Sequence, residues 1–313
     1  MTPALIREAA IRIAPLVHRT PVMTSRGLDT CCGRRIFLKC ENFQRGGSFK
    51  VRGASNLILS IPPQDLPRGV VAFSSGNHAQ GVALAAHHVG TPATIVMPLD
   101  APKAKVDPTR ALGATIITYD RLTQDREQIA AQLLANSGAT LVPPYDHPLI
   151  MAGQGTVALE LLEDVPDLDA LIICVGGGGL MAGCSTIAKS LNPAIRVFGA
   201  EPERASDTWQ SLRAGRRVEI PPPDTIADGL RSPAPGKLTF PIVQRNVEDI
   251  LLVTEDEICQ AMRFLITRMK LVVEPSGAVS VAVAMCRNLP PELERVGVVV
   301  SGGNVDIEFL AAL

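Results

Sequence analysis

The sequence predicts an α/β protein built from open parallel sheets in two blocks. Short apolar segments such as Val70–Phe73, Leu171–Val175 and Gly297–Val300 alternate with helix-length segments, and that alternation selects parallel strands joined by right-handed crossovers. Polar or glycine-rich turns follow those three strands, at Ser74–His78, Gly176–Gly179 and Ser301–Asn304. Open parallel sheets bind ligands at the carboxyl ends of their strands, so the three turns are expected to converge on one cleft. With 313 residues, 46% of them apolar and 19% charged, the chain can fill a sizeable core and suits two modest domains.

In chain order, Thr2 caps a first helix whose Pro3 suits the first turn and whose Ile6, Ala10 and Ile13 share a face. Pro21 discourages its continuation. A glycine-flanked stretch, Gly46 to Ala54, follows the apolar Ile36-Phe37-Leu38, and Ala54 to Ser60 reads as helical. The prolines 62, 63 and 67 mark a linker and a domain hinge. A compact unit over 69–143 then reads as strand Val70–Phe73, helix Ala79–His88, strand Ala93–Met97, helix Lys103–Leu112, strand Thr115–Tyr119, helix Arg126–Asn136 and strand Thr140–Val142. The remainder, 1–62 with 147–313, forms the larger domain. There Gly153-Gln154-Gly155-Thr156 opens a helix, strand Leu171–Val175 runs through Gly176–Gly179 into helix Leu180–Leu191, and Ile195–Phe198 is a strand. Residues 215–237 are rich in proline and arginine and read as a long functional loop. Thr254 and Glu257 form a capping box, with Ile258, Met262, Leu265 and Met269 as an apolar stripe.

Composition excludes several classes. A net charge of −1 argues against nucleic acid as a partner. Seven cysteines without paired metal spacing, and no signal peptide, fit thiols in a reducing cytosol. The uncharged run Ala170 to Ala188 contains four consecutive glycines and makes a poor lipid-facing helix. The expected protein is soluble and cytoplasmic.

Two features carry chemistry. Lys50 lies among glycines, a serine and Phe49, where desolvation by Phe49 and the charge of Arg52 would lower its pKa and make it a nucleophile; a surface lysine in a loop is the plainer reading. Gly176–Gly179, between a buried strand and a helix, suits a phosphate cradle, or else a tight packing turn. A phosphate cradle with a Schiff-base lysine suggests pyridoxal phosphate.

Ser48-Phe49-Lys50-Val51-Arg52-Gly53-Ala54, Ser74-Ser75-Gly76-Asn77-His78-Ala79-Gln80-Gly81, Gly176–Gly179 and Ser301-Gly302-Gly303-Asn304 resemble the serine/threonine dehydratase and serine racemase family of fold-type II pyridoxal-phosphate enzymes. Leu38-Lys39-Cys40-Glu41-Asn42-Phe43-Gln44 and Ala152-Gly153-Gln154-Gly155-Thr156 extend the match over nearly the whole chain. The resemblance implies the tryptophan synthase β-subunit-like fold, with two open parallel-sheet domains, the active site in the cleft between them, and a homodimer. It leaves no room for a C-terminal regulatory domain, as in the short, catabolic type.

By that resemblance Lys50 forms the internal aldimine and acts as the base at the substrate's α-carbon. Phe49 lies against the ring, Asn77 bonds its hydroxyl, Gly176, Gly177, Gly178, Gly179 and Leu180 hold the phosphate, and Ser301 faces the pyridine nitrogen. Ser74, Ser75, Asn77 and His78 would bind the substrate carboxylate at a helix start. Ser75 matches the racemases' second acid/base, though a serine that only binds carboxylate looks the same, and His78 alone reads as a helix-capping core histidine. Glu201, the Ala205 carbonyl and Asp207 match a Mg²⁺ or Ca²⁺ site, where an acidic loop facing solvent is the alternative. Asp228 and Glu274 lie in loops that also match. One departure stands out: a racemase arginine on the 126–136 helix aligns with Gln132. The implied reaction is the conversion of L-threonine or L-serine to a 2-keto acid and ammonia, the hydroxyl leaving with acid help from the cofactor phosphate. Racemisation, dehydration of another 3-hydroxy amino acid, or non-catalytic cofactor binding are the alternatives.

Overall fold

The computed structural model describes residues 1–313 except 75, 102, 121 and 122, and no side chain is described at 103, 104 or 126. Two sheets organise the chain. The first half runs α1 (Pro3–Ile13), β1 (Val22–Met23), α2 (Arg26–Cys32), β2 (Arg35–Cys40), α3 (Lys50–Ile58), β3 (Val70–Phe73), α4 (Asn77–Val89), β4 (Ala93–Pro98), α5 (Lys103–Ala111), β5 (Thr115–Tyr119), α6 (Arg126–Ser137) and β6 (Thr140–Leu141). The second runs α7 (Pro148–Asp164), β7 (Ala170–Cys174), α8 (Gly179–Leu191), β8 (Arg196–Pro202), α9 (Asp207–Ala214), α10 (Phe240–Asn246), β9 (Asp249–Val253), α11 (Glu255–Phe264), α12 (Pro275–Cys286), β10 (Arg295–Val300) and α13 (Ile307–Ala311).

Strands β3 to β6 form a four-stranded parallel sheet in the order β5-β4-β3-β6. The others form a six-stranded sheet, β1-β2-β10-β7-β8-β9, parallel except for the antiparallel edge pair β1–β2. Strands β7, buried along its whole length, and β10 read as continuous apolar runs because helices cover both faces. The two larger apolar clusters are one around the six-stranded sheet and one in which α3 and Ile150 join the four-stranded sheet.

The expected strands Val70–Phe73 and Thr115–Tyr119 match the observed bounds, and the capping box at Thr254 is formed. Three helices begin earlier than the sequence suggests. Helix α3 starts at Lys50 rather than Ala54, and α4 at Asn77. Helix α7 starts at Pro148, so Gly153–Thr156 lies inside it. Its glycine serves close packing: a Cβ on Gly153 would lie 2.4 Å from the Arg52 carbonyl of α3. The 258–269 stripe is broken, with α11 passing into a π-helical turn at Leu265–Met269. Among the described residues no helix is long and apolar enough to cross a membrane, and the 170–188 run divides into β7, the glycine turn and most of α8.

Candidate active site

Each sheet has one topological switch point. In the six-stranded sheet it lies between β7 and β10, because the chain winds outward from β7 through β8 to β9 and then returns to β10 on the other side. In the four-stranded sheet it lies between β3 and β6. Crevices form at such points because neighbouring connections leave on opposite faces. Loops leaving all four strands border one cleft of about 640 Å³: Ser74 and Gly76 to His78 after β3, Pro143–Asp146 after β6, Gly176–Gly179 after β7 and Ser301 after β10.

Lys50 begins α3 and projects into this cleft, where Nζ donates to the Pro144 carbonyl at 3.0 Å and lies 5.1 Å from the centre of the Phe49 ring. Burial lowers its pKa to about 8, with Cys174 and Glu274 opposing the shift. Arg52 plays no part in that lowering. It turns away into a buried network, with Nε and Nη2 donating to Glu41 and Nη1 and Nη2 to Glu160. Lys39 joins the same network through Glu160, at 2.7 Å. The Lys39 and Glu41 of the matched 38–44 motif therefore brace α3 against α7 instead of facing the cleft.

The glycine turn has room for nothing larger. Gly178 adopts φ +88°, in the left-handed region that favours glycine. A Cβ on Gly177 would meet the Tyr145 ring at 2.4 Å, and one on Gly179 would meet the side-chain oxygen of Gln154 at 2.5 Å. Helix α8 opens here without a side-chain cap, and α4 opens across the cleft in the same way. Leu180 is buried in the first turn of α8 and lines the cleft.

The remaining expected residues divide. Ser74, whose Oγ accepts from the Gly76 N–H at 3.2 Å, borders the cleft with Asn77 and Ser301. Ser75 lies outside the described residues. His78 is 2% exposed, and its Nε2 donates to the Val142 carbonyl at 2.8 Å. Because that carbonyl only accepts, Nε2 carries the proton and the ring has no donor left for a carboxylate. Burial and Lys50 push its pKa down to about 3, so the ring stays neutral. What α4 offers an anion is its uncapped N-terminus.

Sequence reasoning missed most of the opposite wall. Tyr145, Arg217, Arg231 and Lys237 line the cleft, and Lys105 reaches from α5 to pair with Asp228. Asp146 is occupied by the N–H groups of Lys237, Leu238 and Thr239. Only the proline-rich composition of 215–237 hinted at this. The cleft face of α6 carries Glu127, Ala130, Ala131 and Leu134, and Gln132 is exposed elsewhere.

The family model described as "Pyridoxal-phosphate dependent enzyme" matches residues 13–302. The chain belongs to that family. It is 51% identical to the L-threo-3-hydroxyaspartate ammonia-lyase of a Pseudomonas species, over 98% of this chain and 96% of the relative. It is 46% identical to the serine racemase of Schizosaccharomyces pombe, over 98% and 95% of the two chains. Among solved structures it superposes on a threonine deaminase from T.th. with a TM-score of 0.92 at 44% identity, covering 98% of this chain and 99% of the other.

The cleft fits the cofactor of this pyridoxal-phosphate-dependent family. A lysine of lowered pKa stands in it, and the glycine turn that borders it opens an uncapped helix start, whose dipole favours a phosphate. When bound, the cofactor supplies an electron-withdrawing ring conjugated to the substrate's α-carbon. Asn77, Phe49 and Ser301 border the same space.

Away from the cleft, at the end of β8, Glu201 and Asp207 are fully buried with Ala205 between them. Glu201 accepts from the Thr208 and Trp209 N–H groups at 3.1 and 3.0 Å. Neither carboxylate oxygen of Asp207 has a hydrogen-bond partner. Burial raises both pKa values, and the neighbouring Glu201 charge raises that of Asp207 further. Among the described residues no three His, Cys, Asp or Glu side chains cluster as metal ligands, so a cation here would need backbone oxygens or water as well.

Proposed function

We propose that this enzyme is an ammonia-lyase acting on a small L-3-hydroxy amino acid, converting it to the 2-keto acid and ammonia. Lys50 removes the α-proton, the β-hydroxyl leaves as water, and a water regained on hydrolysis releases ammonia. The uncapped start of α4 takes the α-carboxylate. The observation that carries this reading is the place of Lys50, which lines the cleft with Nζ donating to the Pro144 carbonyl at 3.0 Å, and burial there lowers its pKa toward the range of a base near neutral pH. Elimination is preferred to racemisation because the 51% identical relative carries an ammonia-lyase's name.

Of L-threonine, L-serine and L-threo-3-hydroxyaspartate, the last is favoured. Arg217, Arg231 and Lys237 border the cleft, Asp146 is engaged by backbone N–H groups, and Asp228 by Lys105. Glu127 also borders the cleft, Arg217 Nε donates to the Pro235 carbonyl and Arg231 to that of Thr225, so the preference for a second carboxylate rests on Lys237, on the remaining Arg217 donors and on the 51% identical relative that carries that name. Glu201, the Ala205 carbonyl and Asp207 would hold Mg²⁺ or Ca²⁺, and the unpartnered Asp207 oxygens support this. The two blocks, 1–62 with 147–313 and 69–143, would move as domains about the cleft, and the family implies a homodimer.

The test is keto-acid release with pyridoxal phosphate and Mg²⁺ from each of the three L-amino acids, with Lys50→Ala as the blank. Release that is fastest from L-threo-3-hydroxyaspartate and absent in the variant supports the reading. Conversion of L-serine to D-serine without keto acid overturns it in favour of a racemase. A faster reaction with L-threonine would keep the lyase and discard the second-carboxylate preference.

A further inference from the structure

Asn77 stands at the start of α4 and faces the cleft. The oxygen and nitrogen of its amide have nearly the same outline and opposite hydrogen-bonding roles, so its partners decide what it presents to a ligand. The assignment begins at Gly46, whose backbone carbonyl can only accept. Asn304 Nδ2 donates to that carbonyl at 2.8 Å and to Asn77 Oδ1 at 2.9 Å, which uses both of its hydrogens. Asn304 has no freedom to flip, since its oxygen would then oppose the Gly46 carbonyl. With Oδ1 held by Asn304, Asn77 must turn Nδ2 the other way, where it donates to Glu274 Oε1. One Nδ2 hydrogen is left over.

Glu274 is 1% exposed and stands at the N-terminal end of α12. Burial holds its carboxyl up at about 7, with Lys105, Asp228 and Lys50 as the charged groups around it. Protonation does not undo the arrangement, because Oε1 still accepts and Asn304 still anchors the far end.

We propose that Asn304 and Glu274 are positioning residues that lock the Asn77 amide with one N–H directed into the cleft, so that Asn77 serves the cofactor ring as a donor and never as an acceptor. This rests on the pyridoxal-phosphate reading of the cleft. A donor there favours the ionised form of a ring oxygen. The lock also crosses the cleft: Asn77 leads α4, which follows β3 of the four-stranded sheet, while Asn304 follows β10 of the six-stranded sheet. The donor is therefore set only while the two sides stand together.

Three variants of the full chain test this: Asn304→Asp, Glu274→Ala and Glu274→Gln. Asn304→Asp places an acceptor-only group against Asn77 Oδ1 and drives the amide over. The readouts are the dissociation constant for pyridoxal phosphate, the pH midpoint of the bound cofactor's visible band, and the unfolding midpoint of the cofactor-free protein. We expect Asn304→Asp and Glu274→Ala to weaken cofactor binding about tenfold and move the pH midpoint upward, the loss of one well-made hydrogen bond. Glu274→Gln, whose amide oxygen accepts the same bond, stays within about threefold of the parent. Parent-like affinity and pH midpoint in both Asn304→Asp and Glu274→Ala would overturn the proposal. So would equal damage in Glu274→Gln and Glu274→Ala, which would assign the effect to charge. If the parent itself develops no visible band with pyridoxal phosphate, it is the reading of the cleft that fails. Unfolding midpoints that fall in step with affinity would assign the residues to stability alone and also overturn it.

Discussion

Lys50 and His78 sit close together in the cleft, and burial acts on both in the same direction. Each is a base whose protonated form is disfavoured when water is removed. For Lys50 that creates a nucleophile, and capture of pyridoxal phosphate by the cofactor-free protein should accelerate with pH and level off above about 8. For His78 it creates a liability toward acid. Its folded-state pKa of about 3 lies below the ordinary 6.5, so the neutral ring's contribution to stability is complete above 6.5 and is lost as pH falls toward 3. At pH 5 the loss should be about 2 kcal/mol. Urea denaturation at pH 7 and pH 5 measures it, and His78→Gln should lose correspondingly less on acidification. Lys50 was legible in sequence through the glycine turn at 176–179 and the other motifs further along the chain, since a lone lysine reads as a surface residue. The opposite courses of Lys50 and Arg52, two residues apart, were not, because only Glu41 and Glu160 explain where Arg52 goes.

Helices α7 and α8 cross on glycine. A Cβ on Gly183 would lie 2.2 Å from the Met151 carbonyl and 2.6 Å from the Gly155 nitrogen, and both obstacles are backbone. Gly183→Ala should therefore cost about 1–3 kcal/mol or more as the helices separate. Gly27→Ala in α2 is the contrast: its nearest neighbours are at 3.7 Å, and the change should be neutral or stabilising by up to about 1 kcal/mol. Thermal unfolding of both variants tests this. The same glycines explain why helix starts were misread. Gly53, Gly153 and Gly155 look like breakers in sequence, yet each lies inside a helix where an added Cβ would come within 3.0 Å of another helix's backbone. The apolar run Val70–Phe73 was read with its observed bounds, whereas Leu171–Val175 and Gly297–Val300 are observed as Ala170–Cys174 and Arg295–Val300, because the ends of a buried strand are set by its pairing rather than by its apolar run.

Across the whole molecule, the buried pair Glu201 and Asp207 joins the end of β8 to α9. Two like charges without solvent oppose folding unless protonated or neutralised by a cation. On the proposed cation reading, chelation should lower the unfolding temperature near neutral pH, Mg²⁺ or Ca²⁺ should restore it, and Asp207→Asn should abolish the response; an unfolding temperature indifferent to chelation would leave the two carboxyls neutralised by protons, as burial favours. By itself the sequence determined the alternation of strands and helices, the turns that follow them, the lysine and the family, since each is written in residues near one another in the chain. Only the tertiary structure decided the neighbours. It set β10 between β2 and β7, brought the strap of residues 215–237 over the cleft, and placed Asn304 against Asn77 across 227 positions. Strand order and backbone packing govern such encounters, and no local pattern of residues encodes either.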